Sequence, residues 1–114
     1  MYTLKNKALI LLFVFPMLWG CSTQPEDIKI SELSTVCEYS EAVLKVCNKI
    51  NDIANGRKPE ELTDEEKEAI IILNNKFKDL DRAMAKKFTV PEFKECPEFE
   101  AIKKLMEGPV DPFI

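Results

Sequence analysis

The sequence predicts an all-α fold: an antiparallel helical hairpin completed by a third, short helix, a small three-helix bundle. Three observations lead there. Apolar residues recur at spacings of three and four through two long stretches, capping and stop residues bracket those stretches, and the chain holds no β-hairpin signal, internal repeat or low-complexity tract.

The first helix is expected from about Ile30 to Ala54. Leu33, Val36, Cys37, Val43, Leu44, Cys47, Ile50 and Ala54 mark one face, while Glu32, Glu38, Glu41, Lys45, Lys49 and Asp52 take the others, the pattern of an amphipathic helix. Ser31 is the expected N-cap. Asn55-Gly56 stops the helix, because the residue after the last turn must turn left-handed and glycine does so without steric cost. Lys58-Pro59 then makes a short turn.

Thr63 opens the second helix. Its hydroxyl can cap the first turn while Glu66 reaches back, and Asp64, Glu65 and Glu66 complement the helix dipole. Ile70, Leu73, Phe77, Leu80, Met84 and Phe88 then form a seam with coiled-coil-like spacing, and the short connection makes the first helix its antiparallel partner. Thr89 to Glu95, with Pro91 and Phe93, breaks the pattern. Pro97 suits the first turn of a third helix reaching about Glu107, with Phe99, Ile102, Leu105 and Met106 as its buried stripe. Gly108-Pro109 ends it, leaving an extended tail, 109–114, that either tucks its apolar residues onto the bundle or frays.

The front of the chain is of another kind. Met1 to Lys7 carries Lys5 and Lys7 without an acid, and about a dozen apolar residues follow from Ala8 to Trp19, interrupted by Pro16. A bilayer-spanning helix needs about 20 apolar residues, so this run is too short to span and reads as a signal peptide. It closes on Leu18-Trp19-Gly20-Cys21, which resembles the lipobox of bacterial lipoproteins, with Trp19 standing where a small residue is usual. The resemblance covers about the first 22 residues. It implies cleavage between Gly20 and Cys21, a diacylglyceryl group on the Cys21 thiol and an acyl chain on the new amine. No other cofactor is expected. Two or three chains on one cysteine anchor a protein firmly, where a single myristoyl chain does so only marginally.

The organisation that follows is a signal peptide over 1–20, a lipidated terminus and flexible tether over 21–29, a helical domain over 30–108 and the tail. Ser22 stands where inner-membrane lipoproteins of Gram-negative bacteria commonly carry aspartate, which favours the outer membrane. Gln24-Pro25-Glu26-Asp27 resembles the short acidic signal that takes some bacterial lipoproteins to the cell surface, so the expected place is the envelope, on the periplasmic or the outer face.

Loss of residues 1–20 removes two lysines and no acid, moving the net charge from −4 to −6. An acidic domain lacks the clustered basic residues that grip a phosphate backbone, so no nucleic-acid partner is expected. The absence of histidine removes the usual general base and the commonest transition-metal ligand.

Three cysteines remain after Cys21: Cys37, Cys47 and Cys96. Cys37 and Cys47 sit about 15 Å apart along one helix, beyond the ~4.4–6.8 Å between Cα atoms that a disulfide allows. With the hairpin turn near Pro59, Cys96 falls at the end of the bundle where the first helix begins. Register therefore favours Cys37–Cys96, leaving Cys47 as a free thiol, over Cys47–Cys96 or no intramolecular bond. Catalytic and metal-site candidates are thin. The acids of Asp64-Glu65-Glu66-Glu68 and of Glu92, Glu95, Glu98 and Glu100 read as solvated helix faces, a cysteine nucleophile lacks its base, and the thiols contain no closely spaced pair to start a metal site. Phe77, Met84, Phe88 and Phe93 form either core or a ligand pocket at the open end of the hairpin.

Two functions fit. One is a non-enzymatic envelope lipoprotein whose helical domain binds another protein, as an inhibitor, an immunity or exclusion factor, or an accessory subunit. The other is a carrier of a small ligand or lipid held between the helices.

Overall fold

The computed structural model describes residues 24–114, and these form a small helical bundle without β-strands. The predicted signal peptide, Gly20 and Cys21 lie outside the described residues.

The first helix, α1, spans Val36–Ala54. It begins six residues later than the apolar spacing suggests, and Thr35, not Ser31, caps it. The reason is a reciprocal box: the Glu38 amide donates to Thr35 Oγ1 at 3.1 Å, while the Thr35 and Ser34 amides donate to Glu38 Oε1 at 3.0 and 2.7 Å. Those bonds satisfy amides that would otherwise face the helix start unpaired. At the other end Asn55 (φ 49°) and Gly56 (φ 80°) are both left-handed, which stops the helix where the sequence predicts.

The Pro59–Glu61 turn, a single turn of 3-10 helix, leads into α2, Asp64–Lys87. The Thr63 and Glu66 box forms as expected, with bonds of 3.1 and 2.9 Å. Ile70, Leu73, Phe77, Leu80 and Met84 are all buried against α1, where Tyr39, Val43, Val46, Cys47 and Ile50 meet them. Arg57 ties the two helices together at the turn. Its guanidinium donates to the Ile53 carbonyl at 2.8 Å and to both Glu66 carboxylate oxygens at 3.1 and 2.8 Å.

The segment after α2 is not a plain loop. Thr89 and Glu92 form a third capping box, with the Thr89 amide 2.8 Å from Glu92 Oε1, and Val90–Lys94 winds into a short helix, α3. Pro91 fits there because the first turn of a helix needs no internal donor. The last helix, α4, is Phe99–Met106, starting two residues after Pro97, and it packs on α1.

Both flanks are part of the fold. The Pro25–Asp27 and Ile30–Glu32 turns lie along α1 and α2, and Ile28, Ile30 and Leu33 pack on the core. The apolar spacing at Ile30 and Leu33 thus reports burial of a turn rather than helix. From Gln24 onward the expected tether is held in place: Lys49 Nζ donates to Gln24 Oε1 at 2.6 Å and lies 3.4 Å from the Glu26 carboxylate, and Lys76 Nζ donates to the Ile28 carbonyl at 2.8 Å. The tail turns instead of extending. Val110 is fully buried, Asp111–Phe113 forms one 3-10 turn, and Asn74 Nδ2 donates to the Phe113 carbonyl at 3.0 Å.

Candidate functional site

Cys37 and Cys96 are joined, with Cα atoms 5.3 Å apart. The bond ties the first turn of α1 to the segment between α3 and α4. A loop of 59 residues closed this way stabilises a fold by about 2–4 kcal/mol. Cys47 is a free thiol, wholly buried under α2, and burial pushes its pKa up to about 11. A thiol in that state is a small apolar side chain rather than a nucleophile.

The same disulfide and the Thr89 box hold α3 against the hairpin, and the arrangement leaves an apolar groove. Phe77, Met84 and Phe88 line one wall, Val90 and Phe93 of α3 another, and Ile102 and Met106 of α4 the floor with Val43. Its volume is about 170 Å³. The rings are fixed by edge-on packing, Phe93 against Phe99 at 4.9 Å between centroids and Phe88 against Tyr39 at 5.6 Å. Tyr39 is in turn held by Lys87, whose ammonium donates to the hydroxyl at 3.0 Å. The four residues singled out from the sequence all reach this groove. Val43, Ile102 and Met106 belong to stripes that the spacing marks as apolar, but that the last helix brings Ile102 and Met106 to this groove is not encoded in the spacing. Val90, at 63 % exposure, leaves an apolar rim in solvent. Asp81 and Thr89 are the polar residues on the lining.

Compared with protein-family models, curated proteins and solved structures, the chain matches none.

Three of the acidic residues cap helices. Glu38 and Glu92 accept backbone amides in their capping boxes, which holds both carboxyls below the ordinary range. Glu66 is lowered furthest, to about 2, by the Arg57 guanidinium first and the Thr63 amide second. The pairing raises Arg57 in turn. Asp64, Glu65 and Glu68 face solvent, as do Glu95 and Glu100, and among the described residues no three acids or cysteines gather in a metal-binding cluster.

Proposed function

We propose that this chain is a lipid-anchored protein of the bacterial envelope whose helical domain, without catalysis of its own, grips another protein by inserting that partner's apolar side chains into the groove between α2, α3 and α4. The groove carries the reading. It is apolar, its walls are held by a disulfide and a capping box, and its volume of about 170 Å³ suits one or two side chains. Pockets that bury a drug-sized molecule run to about 300–1,000 Å³, so a partner's anchoring residue fits this groove better than a carried ligand does. The anchor rests on Leu18-Trp19-Gly20-Cys21 and the short apolar run before it.

Two measurements test the two halves. Cells grown with labelled palmitate should label the protein, and Cys21→Ser should abolish both the label and membrane fractionation. A photo-crosslinking residue at Val90, on the rim, should give a discrete protein adduct in intact cells that disappears with Phe93→Ala. The same residue at Lys78, on the outer face of α2, should give none. A label that persists in Cys21→Ser defeats the anchor, and equal adducts at both positions defeat the groove.

A further inference from the structure

The chain leading from Cys21 enters the fold at a fixed point. Gln24 is clamped by Lys49, and four residues on, Ile28 is clamped by Lys76 of α2. Three Cα steps separate Cys21 from Gln24, a reach of at most about 11 Å. A lipid on Cys21 therefore keeps this part of the hairpin within about one helix diameter of the bilayer.

An exposed apolar strip borders that point. Ile72 lies one turn before Lys76 on the same side of α2 and is 52 % exposed, and Ile71 beside it is 58 % exposed. Ile71 also edges a shallow groove of about 450 Å³ at the turn end, shared with Pro59, Leu62, Pro112 and Phe113. Elsewhere the outward face of α2 is charged or polar, with Glu65, Glu68, Lys78, Asp79 and Arg82. β-Branched residues are mediocre helix formers, and these two, each more than half exposed on a charged helix, leave most of their apolar surface outside the bundle.

Resting on the lipoprotein reading, we infer that Ile71, Ile72 and the Phe113 corner form a membrane-contacting surface, seated in the headgroup region of the leaflet that holds the Cys21 lipid. The partner groove lies toward the other end of α2. Lys87, the end of α2 beside which Val90 stands on that rim, lies 16 residues beyond Ile71, roughly 24 Å of helix at about 1.5 Å per residue. Glu60, Glu68, Lys67 and Lys76 border the strip with mixed sign, so contact is driven by apolar burial and by the short leash rather than by headgroup charge.

Tryptophan fluorescence tests this on the lipidated protein. Trp19, the chain's single tryptophan, is lost on cleavage, so the mature protein is a blank background. Ile71→Trp and Val90→Trp variants, isolated from membranes and reconstituted in phosphatidylcholine vesicles containing doxyl-labelled lipid, are compared. The Ile71→Trp signal should be quenched at least about twofold more than the Val90→Trp signal, as residues 5–10 Å deep in the interface are. With the lipid verified on Cys21 by mass spectrometry, equal quenching at the two positions or stronger quenching at Val90→Trp overturns the inference alone. An unmodified Cys21 overturns the lipoprotein reading itself, and this inference with it.

Discussion

The Arg57 guanidinium and the Glu66 carboxylate meet at two points, 2.8 and 3.1 Å apart, across the turn that joins the two long helices. Glu66 also accepts the Thr63 amide at 2.9 Å, so one carboxylate both caps α2 and fastens it to the end of α1.

That arrangement has a pH signature. The folded-state pKa of Glu66 is depressed to about 2 from 4.5, so its contribution to stability is present above about pH 4.5 and is lost as pH falls toward 2. Glu38 and Glu92 shift in the same direction. Acid titration followed by circular dichroism should show the margin of the wild type over Glu66→Gln shrinking through that window. A margin that stays constant from pH 6 to 2 contradicts the assignment.

Losing the cap hydroxyl has its own cost. Thr63→Ala should destabilise the domain by about 0.5–2 kcal/mol in urea at neutral pH. Thr35→Ala and Thr89→Ala should do the same, with the last loosening α3 selectively in hydrogen exchange. An unchanged exchange rate at Phe93 and Cys96 in Thr89→Ala would count against a role for the box in holding the groove.

Core and surface apolar residues should separate cleanly. Leu80 is fully buried between the helices, and Leu80→Ala should cost about 2–5 kcal/mol. Ile71→Ser, on the exposed face, should stay within about 0.5 kcal/mol of wild type in the soluble domain. Chemical denaturation of the two variants side by side reads this directly.

The cysteines give a fourth prediction. Non-reduced peptide mapping should recover the bridge between Cys37 and Cys96, and the double Cys37→Ser, Cys96→Ser variant should lose about 2–4 kcal/mol. Cys47 should resist alkylation at pH 8 until denaturant opens the core.

Lys49 fixes the amino-terminal segment, so Lys49→Ala should speed amide exchange over residues 24–33 while α1 and α2 remain protected. Equal protection in variant and wild type would mean that Lys76 and the packing of Ile28 suffice to hold the segment.

The seam from Ile70 to Met84 was legible because a helix that pairs along its length must repeat its apolar residues every three or four positions. So were Asn55-Gly56 and the Thr63 box, whose chemistry is local. Two of the three Thr-x-x-Glu boxes were obscured by stronger signals around them. At Thr35 the apolar spacing runs on upstream through Leu33 and Ile30, which are buried in turns. At Thr89 the nearby Pro91 reads as a breaker although it sits in a first turn. Tyr39 has no place in the apolar spacing, and its burial depends on Lys87 at the end of α2 and Phe88 just beyond it. The Phe77, Met84, Phe88 and Phe93 wall was visible in the sequence, whereas the floor from α4 depends on a chain path that spacing does not encode.

The three thiols of the domain leave open which two oxidise, and chain entropy hardly chooses. The loop closed by Cys47 and Cys96 would be ten residues shorter than the native one, a difference under about 0.2 kcal/mol in closure entropy. What chooses is the packing of the hairpin. With α1 packed on α2, Cys47 is sealed in the core, and Cys37 in the capped first turn of α1 is the one left within reach of Cys96. A bridge to Cys47 would have to draw that thiol out of the core, so the paired hairpin itself excludes the isomer that closure entropy would accept.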